Sequence, residues 1–131
     1  MAKSRQSSYY LYGAAALVAV GLIAFAASSG SSNAGPSIYD DFAQCVTDAG
    51  ATMYGAWWCS HCEDQKEAFG SSFDLVQYVE CSNASRSMTK ECSDLGIEGY
   101  PTWEFADSSR TGGFMSMETI AEKTGCELPI E

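Results

Sequence analysis

Two cysteines separated by two residues, Cys59 and Cys62, stand in the run Trp57-Trp58-Cys59-Ser60-His61-Cys62. A short apolar stretch, Ala51-Thr52-Met53-Tyr54, precedes them, and a helix-like stretch follows from Glu63 to Phe69. At a strand-to-helix junction such a pair is a redox-active dithiol. The first thiol falls at the helix N-terminus, where unpaired N–H groups and the macrodipole favour a thiolate. The second falls one turn on, close enough to close a small disulfide. Cys59 is therefore the expected nucleophile. Cys62 is the expected resolving thiol, attacking the mixed disulfide once Cys59 has reacted. His61, the single histidine of the chain, can donate a hydrogen bond or a positive charge to the Cys59 thiolate. That would stabilise the reduced form and make the disulfide a stronger oxidant. The plainer role for His61 is a solvated helix residue.

Zinc is the chemical competitor for Cys59, His61 and Cys62. A structural zinc site needs a fourth ligand, and the chain has neither a second C-x-x-C nor a second histidine, so no metal is expected. No cofactor is required. Trp57 and Trp58 are expected to form an apolar collar around the dithiol that receives an unfolded substrate, and Trp103 to pack in the sheet. Met115 and Met117 read as core or strand-end packing, although methionines outside the cytoplasm sometimes bind copper.

The elements that position this site occupy only part of the 131 residues. Residues 1–8 carry Lys3 and Arg5 and no acid, and residues 9–27 then run without a charge. That is close to the roughly 20 apolar residues that span a bilayer. The basic end should stay cytoplasmic, which puts the remainder outside. A cleaved signal peptide is the alternative, since Ala24-Phe25-Ala26 has the A-x-A pattern. The run is long for a signal core, which favours an uncleaved anchor; both readings export the domain. Residues 28–36, Ser-Ser-Gly-Ser-Ser-Asn-Ala-Gly-Pro, have linker composition, and the domain is expected over 37–131. All 17 acidic residues lie beyond the linker, with five of the seven lysines and arginines, a formal charge of −12. Such a surface argues against nucleic acid and against docking on anionic lipid. Six cysteines in so small an exported domain indicate disulfides, but six permit 15 connectivities.

Helical spacing of Ile38, Phe42, Cys45 and Val46 predicts a helix over 37–49, capped by Ser37 and ended by Gly50. Strands are expected at 51–55, 75–80, 102–106 and 111–115, with a turn at 107–110. Further helices are expected at 59–69, stopped by Gly70, at 87–95, and at 116–124, where Ser116 suits the N-terminus and Gly125 the end. The order α-β-α-β-α-β-β-α implies an α/β domain, a mixed central sheet flanked by helices, preceded by the one transmembrane helix. This is the layout of the thioredoxin-like fold.

The blocks Met53 to Cys62, Gln65-Lys66-Glu67-Ala68-Phe69-Gly70, Tyr78-Val79-Glu80-Cys81, Cys92 and Gly99-Tyr100-Pro101-Thr102-Trp103 occur in order. Together they resemble the thioredoxin-like domain fused to, or working beside, bacterial vitamin K epoxide reductase homologues, over most of 43–128. The resemblance implies that Pro101 is the cis-proline of a loop that packs on the dithiol and that, with Tyr100, offers backbone groups to a bound peptide. It implies a bridge between Cys81 and Cys92, which leaves Cys45 and Cys126 to pair with each other or to remain buried free thiols or a regulatory pair. It also implies a role in passing oxidising equivalents from a quinone-linked membrane enzyme to folding proteins. Two departures accompany it. Only one hydrophobic segment is present, so a separate membrane partner would reoxidise the dithiol. The buried acid that thioredoxin places on the strand before its dithiol is replaced by apolar residues around Met53, so the Cys62 proton needs another group, or water. Glu63 and Glu67 are near in sequence, but salt-bridge roles suit them better.

The expected protein is a membrane-tethered, extracytoplasmic thiol–disulfide oxidoreductase acting on thiol-containing protein substrates, monomeric on its flexible tether. A reductase or isomerase kept reduced by a transmembrane electron carrier uses the same residues in reverse. A metallochaperone or a structural domain is the alternative of another class.

Overall fold

A computed structural model of the chain describes residues 37–130, which lie within one compact unit. The expected basic segment, transmembrane anchor and linker at 1–36 lie outside the described residues. Among the described residues no helix is long and apolar enough to cross a membrane.

Helix α1 spans Asp40–Asp48 and turns Phe42, Ala43 and Val46 inward, one face of a 3.6-residue repeat. Ser37 does not cap it. The N-cap is Tyr39, without a side-chain cap, because Ser37 is used one turn earlier: its hydroxyl accepts from Tyr39 N and its own N–H donates to Asp40. Strand β1 is Thr52–Gly55. Helix α2 is Ser60–Phe69 and stops, as expected, at its C-cap Gly70, where φ is 59°; a 3-10 helix over Gly70–Leu75 follows it directly. The edge contacts of Phe73 with Phe69 and Tyr78 hold that turn against the core. Strand β2 is accordingly short, Tyr78–Glu80, rather than beginning at residue 75.

Helix α3, Lys90–Asp94, begins at Thr89, whose hydroxyl accepts from Cys92 N; the residues before it form a bridge between Ser82 and Met88 instead of helix. Strands β3, Thr102–Glu104, and β4, Arg110–Gly112, form the hairpin. The second strand ends earlier than expected because Gly113 takes a φ of 90°, a left-handed conformation that breaks the ladder. Helix α4, Met117–Thr124, has Ser116 as N-cap accepting from Thr119 N, and ends on Gly125 in the left-handed conformation.

The sheet runs β2-β1-β3-β4, with β1 and β2 parallel and the other neighbours antiparallel. This mixed α/β arrangement, a four-stranded sheet flanked by helices, fits a thioredoxin-like fold. Alternation along β1 divides the core. Met53 and its cross-strand partner Trp103 face a cluster containing Phe42, Val46, Phe69 and Ile120 from the three longer helices. Tyr54 faces a second cluster with Cys81, Cys92 and Ile97. The first cluster is aromatic at its centre: Phe69 stacks on Phe42 at 5.8 Å and lies 6.3 Å from Trp103. Disulfides join Cys45 to Cys126 and Cys81 to Cys92. The first ties α1 to the residues after α4, and the second closes the loop between β2 and α3.

Candidate active site

Strand β1 delivers the chain to the dithiol, and α2 begins there. Cys59 is the N-cap of α2, with an extended backbone, and its sulfur accepts a hydrogen bond from Cys62 N at 3.3 Å. The Cys62 N–H, in the first turn of the helix, thus points at the Cys59 sulfur while also donating to Cys59 O at 3.1 Å. Both cysteines are free thiols in this structure. Cys59 is 8% exposed and Cys62 is wholly buried. Burial pushes the Cys62 thiol up to about 12, and its hydrogen bond with Cys59 adds to the effect.

Trp57 and Trp58 are half-exposed, at 46% and 41%, and flank the dithiol. Each is held by the loop that the Cys81–Cys92 bridge closes. Trp58 Nε1 donates to Ser82 Oγ at 2.7 Å, Trp57 Nε1 donates to Asn83 O at 3.2 Å, and the Arg86 guanidinium lies 5.3 Å from the Trp57 ring. Trp58 also meets Tyr100 edge-on at 5.9 Å. The Tyr100–Pro101 peptide is cis, Pro101 is fully buried, and the Tyr100 hydroxyl donates to Cys81 O. The structure therefore brings Cys59, Cys62, Trp57, Trp58, Tyr100 and Pro101 to one end of the sheet. A cleft of about 480 Å³ runs along Tyr100, Pro101, Thr102 and Arg110; neither thiol lines it.

His61 stands apart from its expected partner. Its Nδ1 lies 3.4 Å from Asp64 and the side chain is 68% exposed; no hydrogen bond joins it to Cys59 among the described residues. Glu63 pairs with Lys66 at 3.1 Å, and Glu67 is exposed.

Four contributors were missed by reading motifs. Gly55 leaves room for the site: a Cβ there would sit 2.8 Å from the Tyr78 ring, 3.0 Å from its hydroxyl and 3.2 Å from Cys62 Sγ. The Tyr78 hydroxyl donates to Glu80 Oε2 at 2.8 Å, while Glu80 Oε1 accepts from the N–H groups of Trp57 and Ser82. The fourth, Gln65, is buried under the first turns of α2. Its Oε1 accepts from Met115 N and Trp103 Nε1, and its Nε2 donates to Met115 O. The available signal was positional: Tyr78 and Glu80 are two apart on a strand, hence on one face.

No family model matches the chain. It is similar to thiol-disulfide oxidoreductase LTO1 of Arabidopsis thaliana, with 41% identity over 91 residues. That alignment takes in 66% of this chain and 24% of the relative, so the chain spans about a quarter of the length of the curated protein it matches.

Proposed function

We propose that this chain is a thiol–disulfide oxidoreductase that donates disulfides to exported proteins. The observation that carries the reading is the pairing of a thiol at the N-cap of α2 with a wholly buried second thiol one turn on, beside a half-exposed tryptophan collar. Similarity to a protein named as a thiol–disulfide oxidoreductase supports it. The cycle starts from the Cys59–Cys62 disulfide. A substrate thiolate attacks Cys59 and Cys62 leaves; a second substrate thiol attacks the mixed disulfide, releasing an oxidised substrate and the reduced dithiol. The resemblance to domains that work with vitamin K epoxide reductase homologues supports a quinone-linked membrane partner as the source of oxidising equivalents. The charge-free run 9–27 supports a tether that keeps the domain outside the cytoplasm.

The test is mechanism-based trapping. A Cys62→Ser chain, expressed in cells that export it, should accumulate mixed disulfides between Cys59 and exported, cysteine-containing proteins, released by reductant. A Cys59→Ser chain should trap none. Equal trapping by the two variants, or none by either, would refute the proposal.

One observation favours a second reading, a reductase or isomerase supplied with electrons from across the membrane. His61 faces Asp64 rather than Cys59, so the contact expected to stabilise the reduced state, and so strengthen the oxidant, is absent.

A further inference from the structure

We propose that Tyr78 and Glu80 form the proton path of Cys62, the thiol that must ionise before it can close the disulfide onto Cys59. The inference rests on the thiol–disulfide reading above and adds the group that takes the proton. The need is plain from burial. Cys62 has no exposed surface, and its thiol is pushed up to about 12, so ionisation near neutrality requires a nearby acceptor. The strand leading to the dithiol offers none: its inward residue is Met53.

The neighbouring parallel strand does. Register sets Tyr78 opposite Met53 and Glu80 opposite Gly55. Gly55 has no side chain, and the point its Cβ would occupy lies 3.0 Å from the Tyr78 hydroxyl and 3.2 Å from Cys62 Sγ. Hydroxyl and sulfur thus border the same glycine-sized gap, with no hydrogen bond joining them among the described residues. From Tyr78 the path continues through the 2.8 Å hydrogen bond to Glu80 Oε2, and Glu80 is exposed to solvent. The other charged or titratable groups around Cys62 are Cys59, Glu63 and Lys66 from α2 and Tyr100 from the loop before β3. Glu63 is held by Lys66, whose Nζ lies 4.9 Å from the centre of the Tyr78 ring.

In the resolving step, which in the donation cycle is the reoxidation of the dithiol by its membrane partner, the Cys62 S–H proton passes to the Tyr78 oxygen as the Tyr78 O–H proton passes to Glu80 Oε2. The electron pair left on Cys62 forms the bond to Cys59 Sγ. The bond from Cys59 Sγ to the partner's sulfur breaks, and its pair leaves on the partner thiolate. The Cys62 sulfur is oxidised, the partner sulfur reduced, and the mixed disulfide is the only oxidant consumed. Glu80 then yields its proton to water.

The experiment uses the full chain in detergent micelles, with Cys59 and Cys62 reduced and both structural disulfides intact. It is mixed with oxidised glutathione, quenched in acid at successive times, and weighed by mass spectrometry. Tyr78→Phe removes the carrier. Glu80→Gln keeps an oxygen for the N–H groups of Trp57 and Ser82 but removes the final acceptor. In both variants resolution should slow by about a hundredfold near neutral pH, the low end of general acid–base effects. Glutathionylated chain should then accumulate, although it forms within about twofold of the wild-type rate. Higher pH, or imidazole added as an external base, should restore resolution. Wild-type resolution rates in both variants would overturn the path. So would slowing of both steps alike without rescue by imidazole, which marks a structural role. A wild-type chain that forms no mixed disulfide at all would overturn the oxidoreductase reading together with the path.

Discussion

Burial, with the hydrogen bond to Cys59 in second place, raises the Cys62 thiol from an ordinary 9.0 to about 12. The native reduced state therefore keeps a proton that the unfolded chain gives up. A folded-state value above the unfolded one contributes stability that is complete below pH about 9 and lost as pH rises toward about 12. The oxidised form has no thiol to titrate, and the tyrosines are common to both forms. Urea unfolding of the two forms should give midpoints that diverge above pH about 9, the reduced form falling faster; a separation that does not change with pH would contradict the burial argument. The placement of Cys59 and Cys62 was legible because the C-x-x-C spacing at a helix start puts both thiols on one helical turn. The surroundings that tune it were not. Gly55 and Tyr78 come to Cys62, and Glu80 to Tyr78, through strand register, and nothing local in Tyr78-Val79-Glu80 announces that meeting.

Among the elements, α2 has the most exacting position, since it must hold one thiol at its tip and the next beneath the sheet edge. Gln65 pins it. Three hydrogen bonds reach from one buried side chain to Met115 and Trp103, joining α2 to the residues after β4 and to β3. Gln65→Ala would strand those partners and open a cavity, and should cost roughly 3 kcal/mol in urea denaturation. A cost under about 1 kcal/mol would show that the contacts are dispensable. Local signals predicted the helix ends well where the partner lay within a turn, as with Ser116 and Thr119 or Gly125. They failed where the decisive contact was distant. The 3-10 turn depends on Phe73 meeting Phe69 and Tyr78, and Gln65 finds Met115 fifty residues away, so its polar character in the sequence reads as surface.

At the scale of the whole molecule, two bridges support a small core. The Cys45–Cys126 bridge has a sequence separation of 81, the Cys81–Cys92 bridge one of 11. On the chain-entropy account the longer loop contributes about 4.5 kcal/mol and the shorter about 3 kcal/mol. Replacing Cys45 and Cys126 together by serine should therefore destabilise the fold more than replacing Cys81 and Cys92. The second replacement should instead disturb the tryptophan collar, because Ser82, Asn83 and Arg86 hold it from within that loop. The reverse ranking in chemical denaturation would contradict this division of roles. The mixed sheet flanked by helices was legible in the sequence because alternating strands and helices followed by a hairpin leave few arrangements.

The most direct test of the central claim is the reduction potential of Cys59–Cys62. The full chain in detergent would be equilibrated with glutathione buffers, and the fraction oxidised read from alkylation of those two thiols alone. Donation of disulfides predicts about −120 to −180 mV, the span of known oxidants and isomerases. A value near about −270 mV, that of a thioredoxin-type reductant, would contradict it.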